Sequence, residues 1–247
     1  MSSAAGAAAR ILARLRDGLI VSVQAEAGSP LNAPGEIALI SRAVVANGAV
    51  GVRAEGLARL GAVRRAVTVP IIGIVKRAYP GFAPYITPSD REIAEVVASG
   101  AEIVAFDATS RARPDHRDVA AVIAAIHARG ALAMADCASA ANVRRAADAG
   151  AEIVATTLCG YTEETEGAPL PALELVRACA ESGAFAICEG GIASPGDVRA
   201  AFAAGAHAVV VGTAITNVDV LVRRFSAAAP SAAPRARTEA SERVHPT

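Results

Sequence analysis

Six times along the chain a Gly-Ala pair stands between an alanine-rich segment and a short apolar run: Asn47-Gly48-Ala49, Ser99-Gly100-Ala101, Arg129-Gly130-Ala131, Ala149-Gly150-Ala151, Ser182-Gly183-Ala184 and Ala204-Gly205-Ala206. A glycine just past a helical pattern can take the left-handed conformation that ends a helix, and an apolar run of strand length then reads as a buried strand. Each unit therefore reads helix, cap, strand. The apolar runs number eight: Leu19–Ala25, Val50–Ala54, Ile71–Arg77, Glu102–Ala108, Leu132–Cys137, Glu152–Leu158, Phe185–Gly190 and His207–Gly212. They recur at about the spacing of one strand-helix unit. Between them lie helical patterns such as Asp118–Arg129, Ala141–Ala149, Leu170–Glu181 and Asp197–Ala204.

Eight alternating strands and helices predict an α/β protein, a single (β/α)8 TIM barrel with parallel strands, and 247 residues is close to the length that fold uses. A doubly wound open sheet uses the same alternation, but its first strand commonly leads into a GxGxxG turn. Here the first run leads into Gln24-Ala25-Glu26-Ala27-Gly28. Residues 1–17 read as an N-terminal helix or extension, 18–225 as the barrel, and 226–247, rich in Ala, Ser, Pro and Arg, as a flexible tail.

Composition narrows the function classes. Hydrophobic residues make up 53% and aromatics 3%, so small and branched aliphatic side chains must fill the core. Lys plus Arg equals Asp plus Glu at 24 each, which gives no field for nucleic acid or an anionic membrane. No run of about 18 apolar residues and no signal-like start predicts an anchor or export. Cys137, Cys159, Cys179 and Cys188 are widely spaced without a CxxC pair, as expected of reduced thiols in a cytoplasm.

Side chains alternate along a strand, so a polar residue that continues an inward apolar series points into the barrel mouth. Ile72 and Ile74 lead to Lys76, Ile103 and Ala105 to Asp107, Leu132 and Met134 to Asp136, and Phe185 and Ile187 to Glu189. Gln24 and Arg53 extend the same ring with less support from alternation. Strands three and seven are four places apart in a ring of eight, which sets Lys76 and Glu189 on opposite sides. Opposed groups suit a two-base inversion at carbon, one removing a proton from one face and the other returning a proton to the opposite face. Lys76 would then need an amine easier to deprotonate than an ordinary lysine, through the neighbouring isoleucines or through Arg53 or Arg77. Glycines after strands seven and eight, at Gly190, Gly191 and Gly212 with Thr213, let backbone N–H groups approach an anion, so a phosphorylated small molecule is the expected substrate. A lysine on an inner strand also suits Schiff-base aldol chemistry, and a pocket alone would suit a catalytically silent sugar-phosphate binder.

Several strings together resemble the N-acetylmannosamine-6-phosphate 2-epimerase family of bacterial sialic acid catabolism. They include Ile72-Gly73-Ile74-Val75-Lys76-Arg77 with Tyr79-Pro80-Gly81, Asp107-Ala108-Thr109-Ser110-Arg111-Ala112-Arg113-Pro114, Thr156-Thr157-Leu158-Cys159-Gly160-Tyr161-Thr162, Glu189-Gly190, and Val209-Val210-Val211-Gly212-Thr213-Ala214-Ile215-Thr216. The resemblance spans about residues 19 to 225 and all eight runs. It implies an isomerase, a carbohydrate epimerase acting at C2 of a phosphorylated amino sugar, with Lys76 and Glu189 as the acid/base groups. It implies that Gln24, Arg53, Asp107 and Asp136 hold the sugar and order the site, without metal or organic cofactor. A homo-oligomer, with a dimer favoured, is implied as well. The chain departs from the family pattern where Gly191 and Asn217 stand in place of arginines, which leaves the phosphate to backbone donors at Gly191, Gly212 and Thr213.

Overall fold

The computed structural model describes residues 2–230. Eight strands, β1 (Gly18–Ser22), β2 (Gly51–Glu55), β3 (Ile71–Ile74), β4 (Ile103–Asp107), β5 (Leu132–Asp136), β6 (Ile153–Ala155), β7 (Phe185–Glu189) and β8 (Ala208–Val211), close into a barrel. Every neighbouring pair is parallel, and β8 returns to β1 with Gly18 opposite Ala208. The helices, in chain order, are α1 (Ser2–Leu15), α2 (Pro34–Ala46), α3 (Leu57–Ala66), α4 (Asp90–Ala98), α5 (Val119–His127), α6 (Ala140–Asp148), α7 (Leu173–Glu181), α8 (Pro195–Ala203), α9 (Thr213–Thr216) and α10 (Val218–Ala227). The barrel predicted from the repeated unit is the fold. The six repeated glycines all have positive φ, from 78° at Gly130 to 103° at Gly205.

Strand alternation divides the core into two layers. Inside the barrel pack Ile20, Ile72, Ile74, Ile103, Ala105, Leu132, Met134, Ile153, Ala155, Phe185, Ile187, Ala208 and Val210. The intervening residues, among them Val52, Val104, Phe106, Ala133, Ala135 and Val154, face the helices. Among the described residues no aromatic other than Phe185 enters the inner ring, in keeping with the aliphatic composition. Gly73 belongs to the outer face for a reason of space: a Cβ there would lie 2.6 Å from Val96 Cγ1 of α4.

α1 closes the N-terminal end of the barrel. Ala8, Ile11, Leu12 and Leu15 recur at helical spacing and pack against the inner ring, and Leu15 is fully buried. Arg16 continues the lid with its guanidinium 5.3 Å from the ring centre of Phe185, the first residue of β7. With that end sealed, the open mouth is at the C-terminal ends of the strands. α10 carries ordered helix to Ala227, two residues beyond the barrel boundary read from the sequence, while the greater part of the expected tail, 231–247, lies outside the described residues. Among the described residues no helix is long and apolar enough to cross a membrane, and the four cysteines are free and buried.

Candidate active site

The apolar inner ring ends in polar side chains at the open mouth. There a cavity of about 400 Å³, within the size range of small-molecule sites, is lined by residues in or just after β1, β2, β3, β6, β7 and β8 and by Arg224 of α10. Lys76 and Glu189 both line it, as do Gln24, Arg53, Gly190, Gly191, Gly212 and Thr213. β3 and β7, which carry the first two, are four places apart around the closed ring.

Lys76 lies just past β3, where the chain leaves the barrel sheet and Lys76 pairs antiparallel with Ile86. That return strand is pinned from behind. Thr87 N donates to Val75 O at 2.8 Å, Thr87 Oγ1 donates to Ala105 O at 2.7 Å, and buried Arg113 donates to Thr87 O at 2.7 Å. Alternation then turns Lys76 into the cavity and Arg77 away from it, onto Glu92 and Glu95. Lys76 Nζ donates to Gln24 Oε1 at 2.7 Å, and Gln24 Nε2 donates to Ser22 Oγ at 2.8 Å. Although Lys76 reaches open space, the barrel wall desolvates its amine and Arg53 adds like charge, so its pKa lies below the ordinary lysine value. The expected lowering thus has Arg53 as a cause, while Arg77 is occupied elsewhere.

Across the barrel, Glu189 ends β7 inside a charged network. Arg53 of β2, 2% exposed, donates from Nη1 to Glu189 Oε2 at 2.8 Å and grips Asp136 of β5 with two bonds, Nη1 to Oδ1 at 3.0 Å and Nη2 to Oδ2 at 2.7 Å. A two-pronged guanidinium–carboxylate pair fixes orientation as well as charge. Thr157 Oγ1 lies 2.7 Å from Asp136 Oδ1 and 3.3 Å from Glu189 Oε2. Burial pushes the Glu189 carboxyl up to about 7; the Asp136 charge adds to the rise and Arg53 opposes it. A lysine made more acidic and a glutamate made less acidic face one space, which is how proteins prepare acid/base groups for neutral pH.

Two of the charged residues selected by alternation stand behind this surface. Asp136 acts on the cavity through Arg53 and Thr157. Asp107 is turned into the loop after β4, where it accepts from Thr109 N at 3.0 Å and Thr109 Oγ1 at 2.6 Å and pairs with Arg111. Neither is among the residues lining the cavity. Others line it without having been singled out: Ser22, Tyr85, Thr157, Tyr161 and Arg224. Ser22 continues Ile20, and Thr157 continues Ile153 and Ala155, so both carry the same alternating signal as Lys76. The tyrosines and Arg224 come from loops and a helix, where no such parity exists. At the glycine-rich side, Gly191 has φ 74°, and a Cβ there would lie 2.3 Å from Leu170 Cβ, so that position admits no side chain without moving the loop that precedes α7.

The family model described as "Putative N-acetylmannosamine-6-phosphate epimerase" (NanE) matches residues 37–231. A Synechococcus elongatus protein described as "Putative N-acetylmannosamine-6-phosphate 2-epimerase" is 46% identical over 218 residues, 87% of this chain and 94% of its own. One of the same description from Klebsiella pneumoniae is 43% identical over 219 residues, 89% of this chain and 92% of its own. The solved structure of the N-acetylmannosamine-6-phosphate 2-epimerase from Clostridium perfringens superposes with a TM-score of 0.85 at 34% identity, covering 89% of this chain and 96% of that one. Closed parallel barrel, family match and relatives agree: the chain belongs to the NanE family of N-acetylmannosamine-6-phosphate epimerases.

Proposed function

We propose that this protein epimerises N-acetylmannosamine 6-phosphate at C2 to give N-acetylglucosamine 6-phosphate, with Lys76 and Glu189 working from opposite faces of the sugar. The observation that carries the reading is the placement of these two groups on opposed strands around one cavity. In the open-chain sugar the C1 aldehyde acidifies the C2 proton. One group removes that proton, the electron pair moves onto O1 as an enolate, and the other group delivers a proton to C2 from the far side. The proton has then changed sides, and exchange with water resets the pair. Arg53 holds Glu189 in place, Gln24 holds Lys76, Asp136 holds Arg53, and Asp107 orders the loop after β4. Backbone donors at Gly191, Gly212 and Thr213 approach the phosphate. Neither metal nor organic cofactor enters this chemistry.

The expected setting is the cytoplasm, where free thiols stay reduced. A homo-oligomer, a dimer first, is supported by the apolar side chains of Val218, Val222 and Phe225 exposed along α10.

Turnover in deuterated water, followed by proton NMR, tests the reaction. Product should carry deuterium at C2, and Lys76→Ala and Glu189→Gln should each lower kcat by about 10²- to 10⁴-fold. Covalent trapping of Lys76 by borohydride in the presence of the sugar would replace this reading with Schiff-base aldol chemistry. A wild type that binds the sugar phosphate without exchanging its C2 proton would mark a silent binder.

A further inference from the structure

Among the described residues three cationic side chains line the cavity, and two of them are engaged. Arg53 is buried with its terminal nitrogens on Asp136 and Glu189, and Lys76 donates to Gln24. The Arg224 side chain of α10 forms no hydrogen bond or ion pair with any other described residue, although it lines the same space. The chain brings it there in short steps. β8 ends at Val211, Gly212 leads into α9, and Asn217 caps α10 by accepting from Val220 N at 3.1 Å. Arg224 follows Asn217 by seven residues, close to two full turns, so the two residues share one side of the helix, and both line the cavity. The adjacent Arg223 points elsewhere, pairing with Glu26 in the loop after β1 at 3.0 Å. The loop after β7 has no room for a cation of its own at Gly191, because a Cβ there meets Leu170.

We propose that Arg224 is the cationic contact for the substrate's phosphate and therefore the residue that makes the site prefer a phosphorylated sugar. A guanidinium with no carboxylate partner among the described residues has no ion pair there to give up on binding, and its planar fork matches two oxygens of a tetrahedral anion. Glycine backbone at Gly190, Gly191 and Gly212 lets the anion come close to the loops while Arg224 meets it from the helix side. The proposal rests on the sugar-phosphate reading above and adds the source of its selectivity.

Two measurements on Arg224→Gln and Arg224→Lys decide it. In steady-state kinetics with N-acetylmannosamine 6-phosphate, the glutamine variant should raise KM about ten- to a hundredfold, the size of a lost charged hydrogen bond. kcat should fall by less, as for a contact made equally to substrate and transition state, and the lysine variant should lie between glutamine and wild type. In a phosphorus NMR titration with inorganic phosphate alone, the glutamine variant should bind more weakly by a similar factor. Equal phosphate affinity in wild type and glutamine variant would overturn the proposal, as would a fall in kcat at constant KM. If wild type fails to turn over the sugar phosphate, the function falls, and the phosphate titration still decides whether Arg224 is the anion contact.

Discussion

At the scale of single residues, the energetics of the site turn on Glu189. A glutamate in an unfolded chain titrates near 4.5, and burial moves this one to about 7. The native state therefore holds the proton more tightly than the unfolded chain does. Stability from this group is fully present below pH 4.5 and is lost as pH rises through 7. Glutamine at the same position keeps an oxygen for Arg53 and Thr157 but never ionises. Glu189→Gln should accordingly melt a few degrees above wild type at pH 8 and near wild type at pH 5 by differential scanning calorimetry, despite its loss of turnover. A variant less stable than wild type at pH 8 would mean that the attraction of Arg53 outweighs desolvation. The cavity-facing placement of Lys76 and Glu189 was legible in the sequence because alternation from Ile74 and Ile187 decides which way a strand-end side chain leaves the sheet. The fate of Asp107 was not, because alternation sets where a side chain starts and Arg111, four residues on, decides where it ends.

Elements were the most legible level. All eight strands fall inside or within one residue of the apolar runs, but every strand except β2 is shorter than its run, β3 and β6 most of all. Hydrophobicity marks burial, whereas a strand lasts only while its neighbour supplies partners. Lys76, for example, pairs with Ile86 outside the barrel sheet. The use of α1 was less visible, since a helix in front of a barrel can lie anywhere until something apolar receives it. Ile11, Leu12 and Leu15 show that the inner ring itself is the receiver. Leu15→Ala should remove that contact at a fully buried position and cost about 2–5 kcal/mol in a urea melt. kcat should stay near wild type, because the opening used for chemistry is at the other end of every strand. Unchanged stability would mean that α1 rests on the barrel without sealing it.

For the whole molecule, closure of the ring makes two distant segments one chemical unit. Lys76 and Glu189 are separated by nearly half of the chain, and closure of eight strands into a barrel sets β3 opposite β7. The reaction needs one proton shared between the two groups, and two arrangements satisfy this: ammonium with carboxylate, or amine with carboxylic acid. Both contain the same number of protons, so they rise and fall together with pH, and a rate profile reports the pair rather than either member. Below the Glu189 transition both groups are protonated and no base remains; above the Lys76 transition both are deprotonated and no acid remains. The profile of kcat/KM should therefore be a bell with its acid limb near pH 7 and its alkaline limb below 10.5, the ordinary lysine value. The two directions of the epimerisation should give the same limbs when each is assayed separately, since the free enzyme is common to both. A single acid limb with activity still rising at pH 10.5 would show that an ammonium is not required, and the lysine would then have no part as the proton donor on its face of the sugar.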